Sequence, residues 1–204
     1  MILALCSPDS DKFETVATVL PENVDTAGGV TATILPKALK PTILSIPGFP
    51  RPLRTYSEDY TVTESENDLK GLTLRAEKNI CIGSLILDER ALIMIPARLK
   101  ANLKLPPEAT AEEHQIALNK FTEEVLQTVC LQKMEPTARH RLLSLQNACE
   151  TDEDGVGPFL GRVKTNALHV SALGLKLEDS ELADERYYAV CPTISRVNHR
   201  SGYW

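Results

Sequence analysis

The run Asp152-Glu-Asp154-Gly155 has the residue types that open a calcium-binding loop. Carboxylate oxygens are the ligands that calcium prefers, but such a loop also needs later ligands and a closing glutamate. Neither follows Gly155 in this sequence. The pattern therefore favours a solvated acidic loop over a calcium site.

A set of glycines follows at positions 155, 157 and 161. A glycine-rich turn before a helix can bind phosphate through its backbone N–H groups. Here four acidic residues lie in residues 150–154, immediately before the turn, and they would repel an anion. We expect a loop across residues 150–161 rather than a phosphate site.

The cysteines and histidines do not have metal-ligand spacing. Five cysteines is an odd number, and they are widely separated without a Cys-x-x-Cys pair, which is typical of reduced thiols. His114, His140 and His169 stand in helical or amphipathic contexts. No Ser-His-Asp arrangement has local support. The sequence therefore predicts no metal site.

Composition limits the class of protein. The 204 residues carry a net charge of −6 and an ordinary apolar content, with no basic stripe, so direct nucleic-acid binding is not expected. An acidic surface suits a lysine-rich partner, and it suits simple solubility equally well. The N-terminus lacks a signal-peptide pattern, and no apolar run could span a bilayer. We expect an intracellular chain that neither crosses nor binds a membrane.

The pattern changes from irregular to strand-like near residue 58. Residues 1–57 are predicted to be a poorly structured N-terminal arm. Each proline removes a backbone hydrogen-bond donor and restricts the residue before it. Five prolines fall close together in this segment: Pro36, Pro41, Pro47, Pro50 and Pro52. Alternating β-branched residues predict a strand at 60–64, and residues 71–76 form its return strand. Residues 84–95 predict one long strand or two short ones.

A helical insert is predicted at about residues 108–147. Thr110 and Glu113 form a capping-box pattern, and apolar residues follow at helical spacing. A second helix is expected from Pro136. Residues 162–173 fit a helix or a strand, and residues 187–191 predict a final strand. This order of strands, helices and strand predicts an α+β fold.

The final strand leads into Arg196-Val-Asn198-His199, preceded by Cys191-Pro-Thr-Ile-Ser195. Together with the hairpin near Gly71 and the helical insert, this order resembles the SET-domain protein-lysine methyltransferases, in particular the SET-and-MYND-like branch. The resemblance extends over about residues 58–199 and is strongest at 60–89 and 157–199. It implies a partial SET β-core over residues 58–204.

The resemblance also implies a site. In that family the glycine turn and the Asn-His element hold S-adenosyl-L-methionine, which places cofactor contacts at Gly71, Leu72, Asn198 and His199. The implied substrate is a lysine side chain of a partner protein. From the residues alone, Gly71 is also compatible with an ordinary hairpin, and Asn198-His199 with a simple turn at a strand end.

Departures from the family pattern predict loss of activity. Thr73 stands where the family has a second glycine, and Ser201 where many members have a zinc-ligating cysteine. The family's Gly-Glu-x-Leu…Tyr segment, which carries the catalytic tyrosine, does not occur after His199, so no catalytic residue is assigned. We expect a truncated, inactive SET domain with weak or absent cofactor binding. The alternative is a non-catalytic interaction module that uses the helical insert.

Overall fold

The fold is α+β, as the order of elements predicts. A computed structural model describes residues 15–22, 29–54, 59–64, 72–97, 99, 101, 103–149, 154–171 and 186–197. In chain order the elements are β1 (Thr15–Leu20), β2 (Thr31–Pro36), α1 (Leu39–Leu44), β3 (Tyr60–Glu64), β4 (Leu72–Ala76), β5 (Ile93–Pro96), α2 (Ala111–Lys133), α3 (Pro136–Leu143), α4 (Pro158–Asn166), β6 (Leu168–Ser171), β7 (Arg186–Val190) and a 3-10 turn (Ile194–Arg196).

The main sheet has five strands in the order β1-β2-β5-β7-β6. Strands β2 and β5 are parallel, and the other neighbouring pairs are antiparallel. In the β5–β7 ladder, Ile93 lies opposite Val190 and Ile95 lies opposite Tyr188. Strand β7 thus lies inside the sheet, between β5 and the edge strand β6.

Both faces of the central strands are covered by helices. On β2, Ile34 packs into the larger core with α2, α3 and α4, whereas its neighbour Leu35 packs into a smaller core beneath α1. This alternation follows from the two-residue period of a strand. Leu126 of α2 and Leu142 of α3 are completely buried in the larger core. The helical insert is therefore part of the core.

The helix starts show how local sequence fixes the insert. Thr110 accepts the N–H of Glu113 and the Glu113 carboxylate accepts the N–H of Thr110, so the predicted capping box is confirmed. The Glu113 carboxylate accepts hydrogen bonds from the Thr110 N–H and from the Thr110 hydroxyl, and these hold the pKa of Glu113 below its usual range. Pro136 occupies the first turn of α3, as predicted. Glu123 of α2 accepts the N–H groups of Phe159 and Leu160 and so caps α4.

The prediction of a poorly structured arm is wrong for the described parts of residues 15–44. Strands β1 and β2 pair along their whole length and form one side of the main sheet. The prolines do not prevent this, because Pro36 ends β2 and Pro41 lies in the first turn of α1, where its missing donor has no intrahelical partner. Among the described residues, 45–54 follow the expected irregular course.

The run at residues 84–95 also differs from its prediction. Only Ile93–Pro96 forms a strand, and residues 84–92 lie outside regular structure. The charged residues in this run bind other segments: the Asp88 carboxylate accepts the N–H of Arg54 at 3.0 Å, and Glu89 contacts the chain beyond β7. Residues 162–173, left open by the sequence, contain the end of α4 and then β6.

The hairpin β3–β4 is a separate two-stranded sheet. Its register pairs Thr63 with Thr73 and Glu64 with Leu72, which confirms the predicted hairpin over the described residues. The hairpin exposes apolar side chains, since Val62 and Leu72 retain 42% and 40% of their accessible surface. Leu72 thus stands at the accessible start of the return strand.

Candidate cofactor site

The structure describes one of the four residues predicted to contact the cofactor. Leu72 is the first residue of β4 and is 40% exposed. Gly71, Asn198 and His199 lie outside the described residues. The segments that flank these residues are described: β4 follows Gly71, and the 3-10 turn with Val197 precedes Asn198.

The two flanking segments lie side by side. Cα atoms of β4 approach Cα atoms of the 3-10 turn within 8 Å. Strand β4 begins directly after Gly71, and Val197 directly follows the turn and precedes Asn198. The hairpin and the segment leading to Asn198 thus belong to one part of the molecule, although they are more than a hundred residues apart in sequence.

The 3-10 turn is held in place by a carboxylate from a distant segment. Glu89 accepts the N–H of Thr193 at 2.9 Å and the N–H of Ile194 at 2.5 Å. Its second oxygen lies 3.2 Å from the Thr193 nitrogen. A negative charge beside the free N–H groups of a helical turn is favourable because it satisfies donors that have no partner within the turn. Glu89 therefore fixes the course of the chain toward Asn198.

A second anchor joins the turn to the end of α4. The Ser195 hydroxyl donates to the Asn166 carbonyl at 2.8 Å and accepts the N–H of Cys191 at 3.2 Å. The Asn166 side chain in turn donates to the Gln146 carbonyl at 2.7 Å. Asn166, the last residue of the sequence Lys164-Thr-Asn166, thus connects α4 and the insert to the segment before Asn198.

Cys191, at the start of this segment, is not a nucleophile. Burial, with a smaller contribution from the negative charge of Glu89, raises the pKa of its thiol to about 12. A thiol with such a pKa is neutral near neutral pH, and the thiolate is the reactive form. Cys191 therefore contributes packing rather than chemistry.

Sequence reasoning missed Glu89 and Ser195 as positioning residues. Glu89 belongs to a charged triplet inside an otherwise apolar run. A charged triplet at the centre of a predicted strand is the one local sign that the run leaves the sheet to make tertiary contacts. Nothing local identifies Thr193 and Ile194 as its partners, because the contact joins residues 104 and 105 positions apart.

The glycine turn at residues 155–161 serves packing. Gly155 adopts a φ of +70° and lies against the backbone of α2, where a Cβ would come 2.7 Å from the Ile116 carbonyl oxygen. The first-turn N–H groups of α4 are already bound to Glu123. A carboxylate thus occupies the position that a phosphate would take. The predicted loop is wrong at residues 158–161, which form the first turn of α4.

Other site types find no support in the described part of the chain. No group of three or more His, Cys, Asp or Glu residues is arranged to hold a metal ion there. His169 instead packs edge-on against Tyr188, with ring centroids 4.7 Å apart. Residues 150–153 of the acidic run lie outside the described residues. In the described ranges no helix combines the length and apolarity needed to cross a membrane.

Comparison with known proteins returns no relative: no protein-family model, curated protein or solved structure matches this chain.

Proposed function

We propose that this chain is a SET-type protein related to S-adenosyl-L-methionine-dependent protein-lysine methyltransferases. The observation that carries the proposal is the approach of β4 to the 3-10 turn. These two elements lead directly into the residues that the SET resemblance assigns to the cofactor. If the two segments form a single cofactor site, they must be neighbours in the fold. If their likeness to the family were a coincidence, nothing would require them to be neighbours.

The surface beside the proposed site is compatible with a ligand. Leu72 and Val197, the described residues nearest to the two cofactor segments, are 40% and 54% exposed. Gly71 would allow close backbone approach because it lacks a Cβ. Asn198 would offer an amide that both donates and accepts hydrogen bonds, and His199 would contribute main-chain groups. S-adenosylmethionine would supply the methyl group, and the protein would hold it in position.

Binding is expected to be weak in this polypeptide. Thr73 is half-buried and lies directly opposite Thr63 in the hairpin, so its branched side chain occupies the position of the family's second glycine. A β-branched residue also disfavours the positive φ values that glycine allows. Methyl transfer to a lysine peptide is expected to be absent, because no residue of the 204 stands in the family's Gly-Glu-x-Leu…Tyr context.

The proposal is tested by ligand-dependent melting. S-adenosylmethionine at ten times its Kd should add about 1.4 kcal/mol to the unfolding free energy, or about 3–6 °C for a chain of this length. Asn198→Ala should abolish the shift and Thr73→Gly should enlarge it. Asn79→Ala, in an exposed loop, is the matched control and should behave as the wild type. An equal shift in the Asn198 and Asn79 variants would refute the assignment.

A second candidate is the interaction module based on the helical insert. It is favoured by a groove of about 430 Å³ beside the start of α2, lined in part by Leu105, Pro106 and Ile116. Saturable binding of S-adenosylmethionine that depends on Asn198 separates the candidates, since Leu72, the one described cofactor residue, does not line the groove. Without such binding, the insert becomes the favoured functional surface.

A further inference from the structure

A second cavity, remote in sequence from the cofactor segments, is lined by three basic side chains. It has a volume of about 190 Å³ and lies where the segment entering β2, the segment entering β5 and the α2–α3 corner meet. Arg90, Lys133 and Arg141 contribute to its lining, and we call it the basic pocket. The pocket is basic although the chain carries a net charge of −6.

The charges of the basic pocket are poorly compensated. Among the described lining residues, Glu135 alone carries a carboxylate, so the lining has an excess of two positive charges. In the described part of the chain, neither Lys133 nor Arg141 forms an ion pair. Arg90 donates from Nη2 to the Arg51 carbonyl at 2.9 Å, whereas its Nε is buried without an acceptor. Basic side chains without a carboxylate partner favour an anionic ligand.

Backbone donors add to the side chains. Thr137 and Ala138 line the basic pocket and belong to the first turn of α3, whose N–H groups have no intrahelical acceptors. The residue before the helix, Glu135, makes no side-chain capping hydrogen bond. The positive end of the helix dipole thus adds to the charges of the three basic side chains.

We propose that the basic pocket binds a small phosphate-bearing anion, of the size of inorganic phosphate or a phosphomonoester. Several cations lining one cavity favour a dianion with three or more acceptor oxygens over a single carboxylate. Leu72, the one proposed cofactor contact among the described residues, does not line this cavity. The inference holds whether or not the cofactor proposal does.

Calorimetric titration with inorganic phosphate, at ionic strength held constant with chloride, tests the site. Saturable binding is expected, and Lys133→Gln or Arg141→Gln should each weaken it about tenfold, as expected for the loss of one charge-assisted hydrogen bond. Glu135→Gln should strengthen it about threefold, because it removes the one opposing charge. A parallel titration with O-phosphoserine shows whether the ester or the free ion is preferred.

Lys104→Gln is the matched control, because it removes the same charge from an exposed position outside the pocket. Its affinity for phosphate should equal that of the wild type. The three lysine and arginine variants change half-exposed or exposed side chains, and circular dichroism should show unaltered folding. Absence of saturable binding by the wild type, or equal losses in the Lys104 and Lys133 variants, would overturn the proposal.

Discussion

Replacing Glu89 by alanine tests how the segment before Asn198 is held. The substitution removes both carboxylate oxygens that accept the N–H groups of Thr193 and Ile194. The two N–H groups then have only water as a partner, and the 3-10 turn loses its connection to residues 84–92. Loss of the anchor should both destabilise the fold and release the turn from its neighbour β4.

The magnitude follows from the hydrogen bonds. A hydrogen bond to a charged acceptor contributes about 1.5–3 kcal/mol. The N–H groups of Thr193 and Ile194 each contribute one such hydrogen bond. Both residues are only half-buried, so their combined contribution to the unfolding free energy is smaller than two full contributions. We expect Glu89→Ala to cost about 2–4 kcal/mol of unfolding free energy. Glu89→Gln, which keeps one acceptor oxygen, should cost about half as much.

Urea denaturation gives the free energies, and amide hydrogen exchange gives the local effect. Exchange at Thr193 and Ile194 should accelerate more in Glu89→Ala than exchange in α2. The matched control is Glu124→Ala, an exposed mid-helix substitution that keeps helix propensity and removes the same charge. If the Glu89 and Glu124 variants agree within about 0.5 kcal/mol, the anchoring role is wrong.

Two further predictions concern the core. Glu123→Ala should lower the free energy of unfolding, measured by chemical denaturation, by about 1–3 kcal/mol because it uncaps α4. Its neighbour Glu124→Ala should lower it little, and equal losses would contradict the capping role. Burial chiefly raises the thiol pKa values of Cys130 and Cys191 from 9.0 to about 12. As the pH rises, the thiols ionise in the unfolded state before they ionise in the folded state, so the unfolding free energy should fall between about pH 9 and 12. Iodoacetamide at pH 8 should label the exposed Cys81 well before either buried thiol. Equal labelling rates would contradict the burial.

The sequence predicted those elements whose signals are local. The capping box at Thr110 and the proline at position 136 mark helix starts through contacts within one turn, and both helices begin there. The hairpin of β3 and β4 follows from alternating side chains on neighbouring segments. In each case the residues that determine the structure lie close together in sequence.

The secondary-structure predictions were wrong where contacts with segments distant in sequence determine the structure. Residues 31–36 form a central part of the sheet because β5, about sixty residues later, pairs with them in parallel. The proline count of the surrounding segment gave no sign of this pairing. Residues 84–92 are not a strand because Asp88 and Glu89 bind segments that are distant in sequence. Such contacts depend on the assembled fold, so the positioning role of Glu89 could not be read locally.

The most direct test of the central claim is an amide NMR titration of the ¹⁵N-labelled protein with S-adenosylmethionine. If the hairpin and the segment after the 3-10 turn form one weak cofactor site, chemical shifts should move in fast exchange at residues 71–74 and 194–199 together. The Asn198→Ala variant should lose both sets of changes, and Asn79→Ala should keep them. No change at millimolar ligand, or changes confined to other parts of the chain, would contradict the account.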